Sequence, residues 1–201
     1  VDQNRNYPFG WDTSSCAGSK QTSSQTYKGP AAASEPETQT MIAFTERERF
    51  ARVLDFHSSG RETLYAYRCL DHPLEEFLRD EARAISFGAG YDTRTRPPSA
   101  DGEHYQWQLS RGAFAFLTET HSQFQPPYDS AVAEAEQVYG GIITLLQRPI
   151  SLTGFVLDND SGDPLEADLI LPQAPFFNGE SFRTAAPTGR YYMVAPDDLT
   201  D

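Results

Sequence analysis

The chain has 201 residues, 38% of them hydrophobic, which suffices for one sizeable domain or for one domain with a small appendage. Its formal net charge is −13 and its pI is about 4.6. Sequence-independent binding to phosphates needs clustered lysine and arginine, so nucleic acid is not an expected partner. No stretch approaches the roughly 20 consecutive apolar residues that a membrane span requires.

The chain opens with a long loop that leads into a helix. Residues 6–33 are rich in Ser, Thr, Gly, Pro and Tyr without a sustained period, which indicates an ordered loop. Ser34-Glu35-Pro36-Glu37 has the pattern of a helix start, and this helix is predicted to run to about Arg49. The short apolar run from Phe50 to Phe56 predicts a buried strand.

Helical and apolar segments continue to alternate as far as Gln147. Asp71-His72-Pro73 predicts the start of a second helix, Ala113 to Thr118 predicts a strand that ends at Glu119, and Ser130 to Gln147 predicts a third helix. This alternation predicts an α/β domain with a largely parallel sheet and helices on both faces, which we assign to residues 1–148.

The composition changes after Pro149. Ser151 to Leu157 and Ala167 to Leu171 are typical of strands, and the turn-forming segment Asp158 to Pro164 separates them. Residues 149–201 are therefore predicted to form a small antiparallel β-sandwich segment. Since about 50 residues are few for an independent sandwich, this segment is either truncated or packed on the first domain.

His57 and Glu119 directly follow the two predicted strands. Ligands of open α/β sheets bind beyond the carboxyl ends of the strands, so a metal-ligating His and a general-base Glu would face one crevice there. The alternative for His57 is a structural hydrogen-bonding role, because neutral imidazole serves both purposes.

Asn4 and Arg5 lie in a polar segment, Asp2-Gln3-Asn4-Arg5-Asn6. Arg presents a planar fork that suits bidentate binding of a carboxylate, and Asn can donate a further bond to it. The alternative, which composition alone favours, is that Arg5 pairs with a local acid in an exposed ion pair of little energetic value.

Four motifs resemble, in order and spacing, the M14 zinc carboxypeptidases and particularly their bacterial carboxypeptidase T-like branch. They are Asp2-x-Asn4-Arg5-Asn6, Tyr27-x-Gly29-Pro30, Ser34-Glu35-Pro36-Glu37-Thr38, and Asp55-Phe56-His57-Ser58 with Leu64-Tyr65. The resemblance covers residues 1–147 and implies a zinc enzyme that hydrolyses the C-terminal peptide bond of peptides and proteins.

The resemblance implies a role for each site residue. His57 would be a zinc ligand, and Glu119 would be the general base that activates the zinc-bound water. Asn4 and Arg5 would bind the free C-terminal carboxylate of the substrate. Asp2 would orient another zinc ligand.

The pocket for the terminal side chain departs from the family in several positions. Ala100-x-Gly102 and Trp107 resemble the pocket segment, and Tyr105 would lie where specificity is set. An aromatic residue there argues against a preference for terminal Lys or Arg, although packing explains Tyr105 equally well. Pro98 replaces the family's mobile Tyr and Gln106 replaces an Asp, which puts substrate closure and pocket chemistry in doubt.

The resemblance also implies zinc ligands that this chain lacks. The family takes two of three ligands from a His-x-x-Glu motif that precedes Asp-x-Asn-Arg-Asn, and this chain begins at the latter. We therefore expect a fragment or processed product of doubtful activity alone, with one zinc per intact domain and two ligands upstream. His72-Pro73-Leu74-Glu75 has the same pattern but follows His57, and we interpret His72 and Glu75 as helix-cap residues.

The C-terminal segment resembles the transthyretin-like regulatory domain of carboxypeptidases. The motifs are Gly154-x-Val156-x-Asp158, Ser161-Gly162-x-Pro164-Leu165-x-Ala167 and Gly189-x-Tyr191. A packing role is favoured over ligand binding, because a fold by itself does not supply a site. The acidic turn at 158–163 offers oxygen ligands for calcium, but such turns are more often only turns.

The leading hypothesis is a monomeric zinc metallocarboxypeptidase, secreted or periplasmic, whose substrates are peptide or protein C-termini. One alternative is a non-catalytic protein of the same fold that binds peptide C-termini. Another is an amidohydrolase of the same fold that acts on acylated amino acids, which the carboxylate-binding motif and Tyr105 disfavour. Cys16 and Cys69 fit one disulfide or two free thiols equally well.

Overall fold

A computed structural model describes residues 1–196 and residue 199. A short 3-10 helix, Gln3–Arg5, precedes the longer elements. The helices are α1 (Pro36–Glu48), α2 (Glu75–Gly88), α3 (His104–Ser110) and α4 (Tyr128–Gln147). The strands are β1 (Arg52–Ser58), β2 (Glu62–Leu64), β3 (Thr95–Arg96), β4 (Phe114–Thr120), β5 (Leu152–Phe155) and β6 (Arg190–Met193).

Four strands form the main sheet in the order β1-β4-β2-β3. The pairs β1–β4 and β2–β3 are parallel, whereas β2 and β4 run antiparallel. Helix α3 packs against β4 and β1, and α2 packs against α4 and β2. The predicted mixed α/β fold with a mostly parallel sheet is thereby confirmed.

The sequence patterns located α1, α2 and α4 to within a few residues. Helix α1 has Pro36 in its first turn and ends at Arg49, whose φ of 51° lies in the left-handed region. Helix α2 begins at Glu75 instead of Asp71, because His72 forms a turn first: its Nδ1 accepts from the Leu74 N–H and its carbonyl from the Glu75 N–H.

The core of the main unit surrounds β4, whose residues Phe114 to Leu117 are buried. Around it are the apolar face of α2, the aromatic segment after β2 and the buried side of α3. The fully buried large side chains include Tyr105, Phe116 and Ile85. This packing fixes β4 firmly in the sheet, and with it the position of Glu119 near its end.

Of the antiparallel β-sandwich segment predicted after residue 149, the described residues form a small two-stranded antiparallel sheet, β5 and β6. Ala167 to Leu171 is not a strand, since it contributes a single bridge between Asp168 and Arg183.

The C-terminal segment packs on the main unit. The Ser181 N–H donates to the Ser110 carbonyl at the end of α3, and Val194 packs against the main core. A Cβ at Gly112 would lie 2.3 Å from the Phe182 ring, so the glycine permits this close approach.

One disulfide joins two loops of the main unit. Cys16 and Cys69, which the sequence left open, are bonded to each other with their Cα atoms 6.1 Å apart. The bond ties the long loop before α1 to the segment after β2. Asp101 lies beside it, and its carboxylate accepts the backbone N–H groups of Arg68 and Cys69.

Candidate active site

The register of the two parallel strands brings His57 and Glu119 together, because these residues are direct partners in the β1–β4 ladder. Partner residues of a parallel pair project from the same face of the sheet. The sequence predicted that both residues directly follow their strands. Each is instead the second-last residue of its strand, because the pairing continues to Ser58 and Thr120.

Glu119 is half-buried, and its Oε2 is buried without a hydrogen-bond partner among the described residues. Burial raises the pKa of this carboxyl group, because the charged form loses solvation. The neighbouring His57, Arg96 and Arg5 act in the opposite direction, whereas Glu62 adds to the increase. A carboxylate with a free oxygen and a raised pKa is suited to accept and return a proton.

His57 is exposed, and its ring makes no hydrogen bond within the part of the chain that the structure describes. It lines a cleft of about 360 Å³ together with Asn4, Asp55 and His104. A ring nitrogen of His57 is therefore free to bind a metal ion.

Asn4 and Arg5 lie in the 3-10 helix, and Asn4 lines the same cleft. Asp2 caps this helix, since its Oδ1 accepts the Asn4 N–H at 3.0 Å. The Asn4 Oδ1 accepts the His104 N–H at 2.9 Å, and the Arg5 Nη1 lies 2.9 Å from the Glu103 Oε1. The start of α3 thus holds both side chains, the Asn4 amide through the His104 N–H and the Arg5 guanidinium through Glu103.

Sequence reasoning missed Asp55 and His104 as members of this cleft. The two Asp55 oxygens lie 2.8 and 2.9 Å from His104 Nδ1, and Gln108 Nε2 lies 2.9 Å from His104 Nε2. Gln108 Nε2 also donates to the Thr45 hydroxyl at 2.8 Å, so the His104 ring is held between Asp55 and Gln108. The only sequence signal was the place of Asp55 two residues before His57.

Tyr105 is fully buried, and its hydroxyl donates to the Ala66 carbonyl at 3.0 Å. Its neighbour Gln106 is also buried: its Oε1 accepts the Glu103 N–H, and its Nε2 donates to Asp101 and to the Ala100 carbonyl. Gln106 thus holds the start of α3 in place.

Comparison with known proteins decides the family. The Peptidase M14 family, zinc carboxypeptidase, matches residues 1–148. The chain belongs to the M14 zinc carboxypeptidase family. Members of this family are zinc enzymes.

Similar proteins come from insects, mammals and bacteria. Carboxypeptidase A from Helicoverpa armigera matches with a TM-score of 0.62 at 21% identity, over 73% of this chain and 41% of that chain. Bovine thrombin-activatable fibrinolysis inhibitor, solved with tick carboxypeptidase inhibitor, gives 0.64 at 19% identity, over 72% and 55%. Gamma-D-glutamyl-L-diamino acid endopeptidase 1 of Lysinibacillus sphaericus is 28% identical over 92 residues.

This M14 chain spans only part of its relatives, namely 22% of the Lysinibacillus protein and 41% and 55% of the two solved structures. The likeness to the solved structures, at about 20% identity, shows the fold. No helix within the described residues is long and apolar enough to cross a membrane.

The cleft fits one part of an M14 zinc site. The free ring of His57 is a suitable zinc ligand. Glu119, the partner of His57 in the β1–β4 ladder, has a buried Oε2 without a hydrogen-bond partner among the described residues. A different group, Cys16, Cys69 and Asp101, has the proximity of a metal site, but its sulfurs form the disulfide. His72 is buried with its Nδ1 bonded to the Leu74 N–H, and burial lowers the pKa of its ring to about 4.

Proposed function

We propose that this chain is part of a zinc-dependent metallocarboxypeptidase that hydrolyses the C-terminal peptide bond of peptides and proteins. The observation that carries the proposal is the pairing of His57 with Glu119 in the β1–β4 ladder, with an exposed ring on one residue and an unpartnered carboxylate oxygen on the other. Family membership supports the same reaction class.

Each residue has a distinct task in the proposed reaction. Arg5 and Asn4 bind the terminal carboxylate and so place the last peptide bond at the strand ends. Glu119 takes a proton from the attacking water and returns it to the leaving amine. Zinc, when bound at His57, supplies Lewis-acid polarisation of the scissile carbonyl. In the same proposal, Tyr105 influences the choice of terminal residue only through packing, since it is fully buried and does not line the cleft.

The remaining zinc ligands are proposed to lie upstream of Val1 in the natural protein. Catalytic zinc sites normally have three protein ligands, whereas the described residues supply His57 alone. The proposal extends to a carboxypeptidase T-like subtype, a monomer in the secreted or periplasmic space, and a transthyretin-like domain at residues 149–201. The disulfide is consistent with an oxidising compartment, and the antiparallel β5–β6 pair is consistent with a β domain.

A second candidate is a protein that binds peptide C-termini without hydrolysing them. It is favoured by the fact that Asn4 and Arg5 are held in position by protein groups alone, namely the His104 N–H and Glu103. In that case a carboxylate would bind whether or not zinc is present.

Zinc stoichiometry tests the two candidates. We expect one zinc per chain in the natural full-length protein and a large loss of zinc in its His57→Ala variant, with His72→Ala as the matched control that keeps its zinc. Full zinc retention in His57→Ala would disprove the ligand assignment. If the full-length protein holds no zinc but binds acylated dipeptides, the binding-protein candidate is correct.

A further inference from the structure

The start of α3 holds both members of the Asn4–Arg5 pair through two consecutive residues. The Glu103 Oε1 lies 2.9 Å from the Arg5 Nη1. The next residue, His104, donates its backbone N–H to the Asn4 Oδ1 at 2.9 Å. The start of α3 therefore contacts both the Arg5 guanidinium and the Asn4 amide, although His104 and Asn4 are 100 positions apart in the sequence.

These contacts decide which donors are left for a ligand. Arg5 Nη1 is used twice, by Glu103 and by the Asn4 carbonyl at 2.6 Å. A guanidinium has five N–H donors, and Nη2 and Nε of Arg5 have no partner among the described residues. The Asn4 amide accepts through Oδ1, which leaves its Nδ2 as a donor in the cleft.

The holding group is itself rigidly placed. Glu103 is only 3% exposed, and its N–H donates to the Gln106 Oε1. The preceding Gly102 has a φ of 92°, and a Cβ there would lie 3.1 Å from the Arg5 carbonyl. The glycine thus allows this loop to approach the 3-10 helix closely. Its carbonyl accepts the Tyr7 N–H at 3.1 Å, which joins the two segments again.

We propose that Glu103 is a positioning residue for substrate binding, which fixes the Arg5 guanidinium so that its Nη2 and Nε donors meet the terminal carboxylate of a peptide. This inference rests on the proposed function of Asn4 and Arg5. Glu103 does not contact the substrate in this scheme. It fixes a flexible side chain before binding, so the bound peptide does not have to order it.

The test compares peptide binding by the natural full-length protein and its Glu103→Gln variant. The ligands are an N-acylated dipeptide with a free carboxylate and the same dipeptide with a C-terminal amide, measured by calorimetry. We expect Glu103→Gln to weaken carboxylate binding about tenfold and to leave amide binding within about twofold, because the change acts through Arg5. Where hydrolysis is measurable, KM rises with little change in kcat.

Two further variants make the test decisive. Glu81→Gln is the matched control, since Glu81 is a partly buried partner of Arg148 at 2.5 Å on α2, and it should change neither ligand's affinity. Glu103→Asp keeps the carboxyl group on a shorter side chain. It should give a smaller loss in the same direction, and it replaces Glu103→Gln if that variant does not fold.

The outcomes separate the two proposals. A wild-type protein that does not distinguish carboxylate from amide would disprove the role of Asn4 and Arg5, and the inference with it. A wild-type protein that distinguishes them, with Glu103 variants that do so equally well, would overturn the inference alone. Tighter carboxylate binding by Glu103→Gln would also overturn it, because Glu103 would then compete with the substrate for Arg5.

Discussion

Two glutamates near the same end of the sheet, Glu119 and Glu134, have opposite surroundings. The Glu134 oxygens accept from the Arg61 Nε and Nη2 at 3.1 and 2.6 Å, from the Tyr91 hydroxyl at 2.6 Å and from the His121 N–H at 2.8 Å. Burial alone would raise the pKa of Glu134, but these bonds outweigh it and lower the pKa to about 2.

Glu119 has none of this support at Oε2, and burial raises the pKa of its carboxyl group. The same residue type therefore has two functions. A carboxylate whose oxygens are all bonded holds loops together, as Glu134 does for the loops that carry Arg61 and His121. A carboxylate with a free buried oxygen keeps the capacity to exchange a proton.

The largest expected effect is on catalysis by Glu119. Glu119→Gln in the natural full-length protein should lower kcat for an acylated dipeptide by about 1000-fold, because general acid–base catalysis contributes roughly 10²–10⁴-fold. The measurement is steady-state hydrolysis together with a thermal unfolding curve. Glu134→Gln is the matched control, and an equal loss of kcat in a folded Glu134→Gln protein would contradict the distinction.

The next effect concerns stability at Glu134. Glu134→Gln should lower the free energy of unfolding near pH 7 by about 3 kcal/mol, since the amide cannot accept from all four donors and leaves Arg61 without its counterion. The pKa of Glu134 is lowered on folding, so its contribution is present above about pH 5 and is lost as the pH falls toward 2. Urea unfolding of both proteins across this range measures it.

The difference between wild type and Glu134→Gln should therefore shrink as the solution becomes more acidic. Glu119→Gln serves as the comparison here, because removing a carboxylate with a raised pKa should not destabilise the protein at neutral pH. A gap between wild type and Glu134→Gln that stays constant from pH 7 to pH 3 would show that the pKa of Glu134 is not lowered on folding.

The smallest effect is at Tyr91. Tyr91→Phe removes one of four bonds to Glu134 and should cost about 1 kcal/mol of unfolding free energy, with no change in kcat. Chemical denaturation measures this loss. The control is Tyr139→Phe on α4, whose side chain is exposed. A loss as large as that of Glu134→Gln would mean that the hydroxyl, and not the Arg61 pair, supports the cluster.

Sequence reasoning found the residues whose neighbours are set by local pattern. The ends of two predicted strands pointed to His57 and Glu119 and a short polar segment pointed to Asn4 and Arg5, but their roles were assigned only through the resemblance to the M14 motifs. Glu103, His104 and Glu134 were missed, since their partners are far away in the chain: Glu134 and Arg61 are 73 positions apart, and His104 and Asn4 are 100 apart.

By itself the sequence determined helices α1, α2 and α4, strands β1 and β4 and the resemblance to the M14 family, because periodicity, capping residues and ordered motifs are local properties. Only the tertiary structure decided the strand register that pairs His57 with Glu119, the disulfide, and which glutamate has a free oxygen. The physical reason is that pairing and burial depend on contacts between distant segments, and these contacts set the charge state and availability of each carboxylate.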